Sequence, residues 1–318
     1  MAKETQGSLS VTERNSLLRT LETLGRETWF QQWKEHMAVP RSLNPHTKDK
    51  SEQEKILRYL LMRVLINQQA SFEKVRQLSQ RIAETYGDTL IYEPYNISEV
   101  NLFETFRESA GRKGSELYKV GALGGIKPLS LFAYRIKAYE GFVRQLEVEK
   151  KEFLDLALDR LKNNSGYSLF KFLSEHPVLE CGWVGNDPKA CRMLVDWIIF
   201  LCREIWGYEL VRIEDTLMIV DGHVGKVFCR TGLLSEVLYE NTRPYIIQAS
   251  KMRSQIENMV RSSGAIPFYV DNGAFYLFED GFCLDVGPRC EECPISKTCK
   301  KYIKWTAYQK MTREMETV

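Results

Sequence analysis

The sequence predicts a mostly α-helical globular protein. Three observations carry that expectation. The composition is ordinary for a folded domain, with 44% hydrophobic and 27% charged residues, which disfavours wholesale disorder, a collagen-like repeat or a coiled-coil rod. Apolar residues recur at i, i+3 and i+4 over several long stretches, and polar or glycine-containing breaks separate them. At 318 residues the chain is long enough for one large domain or two. Its longest apolar runs, such as Trp197 to Cys202, fall far short of the roughly 20 residues that span a bilayer, and the opening MAKETQGSLSVTERN has no apolar signal core. The protein is therefore expected to work off the membrane, in the cytoplasm or nucleus, and not to be secreted.

The elements follow in order. Ile56, Leu57, Leu60, Leu61, Val64 and Leu65 form one stripe of a buried helix over 51–67, which Gln68, Gln69, Ala70 and Ser71 interrupt. A second helix runs from Phe72 through Val75, Leu78 and Ile82 to Tyr86, with Ser71 as N-cap and Gly87 as its stop. GALGGIKP, Gly121 to Pro128, reads as a loop, because it lacks the Gly-Lys-Ser/Thr that would hold phosphates and magnesium. Ser130 to Lys162 alternates apolar and charged residues at helical spacing until Asn163, Asn164, Ser165 and Gly166 end it. Gly182 and Gly185 make a turn before a helix that opens near Asp187 and Pro188. Met218, Ile219 and Val220 lead into Asp221, and Val224, Val227, Phe228 and Thr231 follow at helical spacing, so Asp221 is a helix N-cap. Ile266 to Phe278 reads as a small β-hairpin turning at Asn272-Gly273, a dipeptide that tolerates positive φ.

Eight cysteines divide into two groups. Cys181, Cys191, Cys202 and Cys229 stand in apolar or helical surroundings and read as small core residues. Cys283, Cys290, Cys293 and Cys299 lie at spacing C-x6-C-x2-C-x5-C. Metal ligation explains them better than disulfides, since only one corner of an intracellular chain would be stapled. Zinc and a [4Fe-4S] cluster both accept four cysteinates. Zinc sites commonly pair two close knuckles, whereas only Cys290 and Cys293 are close here, which favours iron and sulfur.

The net charge is only +2, from 44 Lys+Arg against 42 Asp+Glu, so nucleic-acid binding rests on distribution and not on the total. From Arg289 to Arg313 seven basic residues stand against Glu291 and Glu292, interleaved with Tyr302, Trp305 and Tyr308. A basic face with aromatics and a solvated C-terminal helix are both compatible with that pattern.

FCLDVGPRCEECPISKTC, with Pro288 before its second ligand and Pro294 after its third, resembles the iron-sulfur loop of endonuclease III and adenine DNA glycosylase. LMRVLINQQASFEKV resembles the early helix pair of the same helix-hairpin-helix (HhH-GPD) glycosylase superfamily, and IVDGHVGKVFCRTGLL its catalytic segment. The resemblance spans roughly 50–305 in the family's motif order. It implies a two-lobed helical glycosylase fold: an N-terminal helical segment over 1–50 packing with the C-terminal lobe, a catalytic region over 51–235 with an insertion around 88–162, and a C-terminal region over 236–318 with the cluster loop and basic tail. The expected hairpin at 266–278 departs from the family, as do glycines three apart where its hairpin has them two apart.

The resemblance further implies a base-excision DNA glycosylase, a monomer acting on double-stranded DNA that contains a damaged or mismatched base. Asp221 would stabilise the oxocarbenium, Gln69 would fill the space of the extruded base, Gly182 and Gly185 would offer backbone N–H groups to phosphate, and Arg289 and Lys297 would face phosphates. The four loop cysteines would hold a [4Fe-4S] cluster. Lys189 is the candidate nucleophile for strand cleavage as an abasic-site lyase; a second alignment puts Arg192 at that position, and a guanidinium stays protonated. Two other classes fit parts of the sequence: a non-catalytic reader of damaged DNA on the same scaffold, and a zinc-stabilised nucleic-acid-binding module.

Overall fold

The computed structural model describes residues 9–67, 72–98, 101, 128–183, 188–234, 249–284 and 286–302. They form α1 (Val11–Met37), α2 (Lys50–Ile66), α3 (Phe72–Tyr86), α4 (Asp88–Tyr92), α5 (Pro128–Glu149), α6 (Phe153–Asn163), α7 (Gly166–Ser174), α8 (Lys189–Phe200), α9 (Gly222–Arg230), α10 (Ala249–Ser263) and α11 (Pro267–Glu279). A π turn, Leu201–Ile205, continues α8. The described residues contain no strand, and none of their helices is long and apolar enough to cross a membrane.

The chain divides into two compact units, Lys34–Ile213 and Met1–Trp33 with Glu214–Val318. In the first, α2 is the core helix. Asp49 caps it by accepting from the Ser51 N–H at 3.0 Å, and nearly every residue from Gln53 to Ile66 is buried. Helices α3, α4, α5, α6 and α8 pack around it. Burial all round is affordable only because its polar groups find partners. Glu54 accepts the N–H groups of Phe153 and Leu154 at the start of α6, and pairs with Arg58. The stretch expected as one helix from Ser130 to Lys162 is two, because the chain breaks at Lys150, where φ is +52°, before α6 begins.

The second unit is built on α1, up to Trp33, together with α9, α10 and α11. Its core gathers Leu17, Leu18 and Leu21 with Met218, Val220, Val224, Val227, Phe228, Met252, Ile256 and Val260. Here the expected hairpin is corrected: Ile266 to Phe278 lies in helix α11, with Pro267 in its first turn. Asn272-Gly273 serves close packing and not a turn. A Cβ on Gly273 would stand 2.1 Å from the Leu21 carbonyl oxygen, and one on Gly25 would stand 1.9 Å from the Tyr269 oxygen. Two glycines thus let α1 and α11 cross backbone to backbone, and Trp29 closes the crossing edge-on against Phe268 at 5.1 Å. The Asn272 amide donates to the Phe268 carbonyl one turn back at 2.6 Å.

Gly273→Ala should therefore destabilise the protein by about 2 kcal/mol or more, as overpacking against backbone costs. Urea denaturation followed by far-UV circular dichroism should show a lowered midpoint at unchanged slope.

Candidate functional site

The site is built from the segment that precedes α9. Residues 216–220 belong to no helix and pair with no strand among the described residues, so their N–H groups need other acceptors. Two buried carboxylates supply them: Glu257 on α10 accepts the Met218 N–H at 3.1 Å, and Asp271 on α11 accepts the Ile219 N–H at 2.7 Å. Glu257 is 9% exposed and Asp271 3%. The second oxygen of Asp271 accepts from the Asn272 amide at 3.2 Å. Met218 and Val220 point into the core, and the chain emerges at Asp221.

Asp221 is the N-cap of α9, as expected. Its Oδ1 accepts the N–H groups of His223 and Val224 at 2.9 and 3.0 Å. These donors and the positive end of the helix favour a negative charge there. The side chain is half-buried, on the rim of the unit. The His223 ring stacks on Phe278 of α11, with centroids 3.7 Å apart and planes 26° from parallel. Glu279 follows, and partial burial, then the charges of Asp280 and Asp221, hold its carboxyl above the ordinary value. Negative charge is thus concentrated beside Asp221, at the carboxyl end of α11, where a helix disfavours it.

The other end of α9 holds the cysteine loop. The Arg230 guanidinium is fully buried; it donates to the Cys283 carbonyl and lies 3.9 Å from the Cys283 sulfur. The Arg230 carbonyl accepts from the Tyr302 N–H at 2.9 Å, and the Thr231 carbonyl from the Lys300 N–H at 3.3 Å. Gly232, with φ +88°, lets the chain turn there, and a Cβ would collide with the Lys300 side chain at 2.8 Å.

Within the loop the four thiols influence one another electrostatically. The Lys301 N–H donates to the Cys299 sulfur at 3.3 Å. Burial pushes the thiols of Cys283 and Cys293 up, and that of Cys299 up to about 11. Among the described residues no three His, Cys, Asp or Glu side chains converge as a single metal ion requires.

The remaining expected residues fall as follows. Arg289 spends its guanidinium within the loop, on the Asp280 carbonyl, on Glu292 at 3.3 Å and over the Phe282 ring at 4.6 Å. Lys297 is exposed. In the other unit Lys189 is exposed in the first turn of α8, whereas Arg192 is buried with its guanidinium over Phe170 at 5.1 Å. Gly182 is buried, its N–H donates to the Leu179 carbonyl at 2.8 Å, and a Cβ would meet Ala138 at 2.8 Å. Gln69, Gly185 and the aromatics Trp305 and Tyr308 lie outside the described residues. Cys191, Cys202 and Cys229 are core thiols, but Cys181 is exposed, a correction to its expected burial: it is the middle residue of a short 3-10 turn, Glu180–Gly182, of which Gly182 is the buried residue.

Sequence reasoning missed Glu257, Asp271, Arg230 and Glu279. Arg230 lay inside the segment already singled out, and Asp271 was hidden in the apparent turn Asp-Asn-Gly. Comparison with protein-family models, with curated proteins and with solved structures finds no match for the chain.

Arg230→Met removes the buried donor to Cys283. Since a hydrogen bond from a charged group contributes about 1.5–3 kcal/mol, thermal melting should show a loss of that order, and amide exchange over 283–302 should accelerate more than exchange in α10.

Proposed function

We propose that the chain is a DNA N-glycosylase of base excision, acting on double-stranded DNA that carries a damaged or mismatched base. The single observation that carries the reading is the position of Asp221: a half-buried carboxylate fixed by two amides at the start of α9, whose far end is tied to a loop of four cysteines. The family resemblance of both motifs supports it, and so does the negative charge around Asp221.

Breaking an N-glycosidic bond leaves positive charge on the sugar at C1′ and its ring oxygen. A fixed anion nearby stabilises that charge without reorganising during the reaction, and Asp221 is such an anion. The base must first leave the stack, at a cost of a few kcal/mol, and Gln69 is the side chain proposed to fill its place. In the hydrolytic route Asp221 also orients the water that attacks C1′. In the lyase route an amine attacks C1′, forms a Schiff base, and elimination breaks the strand; Lys189, exposed in the first turn of α8, is the amine proposed for it. Arg192 is packed on Phe170 and stays protonated, so it is no candidate for that step.

Cys283, Cys290, Cys293 and Cys299 are the residues proposed to hold the [4Fe-4S] cluster. Four soft donors in one loop, with an N–H group turned to the Cys299 sulfur and a buried guanidinium at that of Cys283, suit an anionic thiolate centre. The cluster supplies cross-linking of the loop and no electron to the reaction. Lys297 then adds a contact to phosphate, which is independent of base sequence and weakened by salt.

The test is one gel: anaerobically purified wild type and Asp221→Asn on duplexes that each carry one lesion, developed with and without hot alkali. Breaks that need alkali and appear only with wild type are expected of the hydrolytic route. Breaks without alkali point to the lyase, and Lys189→Gln should then abolish them. Bound duplex recovered intact on every lesion would favour the non-catalytic reader. The wild type should be brown and contain iron and sulfide, and Cys283→Ser should lose both; a colourless zinc protein would support the third class instead. Lys297→Ala should weaken binding equally on all duplexes and reduce the salt slope by about 1.

A further inference from the structure

The carboxylates of Glu257 and Asp271 are buried, and their charge is costly to bury unless it is matched by hydrogen bonds. Among their partners, Glu257 accepts the Met218 N–H and Asp271 the Ile219 N–H. These two consecutive amides immediately precede Val220 and Asp221. A backbone amide outside regular secondary structure could equally have been satisfied by water had the stretch lain on the surface. Instead Met218 and Val220 are anchored in the core, and the amide between them is held at 2.7 Å by a residue 3% exposed.

The geometry points to Asp271 as a positioning residue for Asp221, acting through the Ile219 N–H; as a functional role this rests on the glycosylase reading above. The path is short and stiff. Asp271 stands in α11 two residues before Gly273, where that helix crosses α1 too closely to admit a Cβ at Gly25 or Gly273. Its carboxylate holds the N–H of the peptide before Ile219, Val220 is anchored in the core by its own side chain, and the following Cα is that of Asp221. Asp221 then caps α9 through His223 and Val224. Release of the Ile219 N–H lets the segment swing about its two ends, and a displacement of about 1 Å in a reacting geometry can cost about a hundredfold in rate. Glu257 holds the same segment one residue earlier, so it contributes less to the direction in which Asp221 leaves the core.

Two substitutions separate position from charge. Asp271→Asn keeps an oxygen that can accept from Ile219 while removing the charge; Asp271→Leu keeps the branched shape, at a larger volume, and removes the acceptor. Single-turnover base release at saturating enzyme, on whichever lesion the wild type excises, should stay within about tenfold of wild type for Asp271→Asn and fall about a hundredfold for Asp271→Leu. Duplex affinity should change little in either, because Asp271 is buried. Loss of stability alone does not lower a rate measured at saturation with folded protein. Amide exchange supplies a readout that needs no activity: protection at Ile219, His223 and Val224 should drop in Asp271→Leu and persist in Asp271→Asn. Unchanged release and unchanged protection at His223 and Val224 in Asp271→Leu overturn the inference, as does an equal loss of rate in both variants, which would make the charge and not the position decisive. If the wild type releases no base from any lesion, the glycosylase reading fails; lost protection at His223 and Val224 in Asp271→Leu would still uphold the mechanical link, and retained protection would remove that too.

Discussion

The hydrogen bond from the Ile219 N–H to the buried Asp271 carboxylate is the constraint on which the arrangement of the candidate site depends. A segment outside any helix, with no strand beside it among the described residues, has no regular partner for its amides, and a core cannot leave them unmet. The fold answers with acids from two helices, Glu257 and Asp271, in place of a sheet. This explains why acidic side chains are buried in a unit otherwise cored by leucine, valine, isoleucine and methionine. It also explains why the segment ends where it does: beyond Val220 the next side chain, Asp221, finds its acceptors' counterparts in the first turn of α9.

That constraint is only as firm as the helix that carries it. Helix α11 is fixed against α1 by two glycines whose missing side chains allow backbone contact, and a contact of that kind has little freedom to slide. From there the order passes along α9, a rod of nine residues, about 13 Å long. At its far end Arg230, Thr231 and Gly232 receive the chain on either side of the cysteine loop. One short helix therefore carries the carboxylate at its amino end and the sulfur-rich loop at its carboxyl end.

Electrostatically the unit separates its charges. Asp221, Glu279 and Asp280 are acids close enough that the charges of Asp221 and Asp280 help to raise the Glu279 carboxyl above its ordinary value, after partial burial. Around the cysteine loop the cations are largely matched: Arg289 with Glu292, Lys301 with Glu291 at 3.0 Å, and Lys300 with Glu13 at 3.4 Å. Exposed pairs of this sort contribute little to stability, but they lower the net field of the loop, in keeping with a chain whose net charge is only +2.

By itself the sequence determined the helical class, the boundaries of α2 and α3, the capping role of Asp221 and the gathering of four cysteines in one loop. Each is set by residues near one another in the chain: apolar stripes at helical spacing, an acid before a helix, ligands a few residues apart. Only the tertiary structure decided that Asp271-Asn272-Gly273 belongs to a helix. The local preference of Asn-Gly for a turn is worth less than the packing of α11 against α1, which a residue more than 240 positions away makes possible through Gly25. The same reason hid Glu257, Asp271 and Arg230. An acid or an arginine in an amphipathic stretch reads as solvated until the partner that draws it inward is known, and here the partners are the backbone groups of Met218, Ile219 and Cys283, which no side-chain pattern announces.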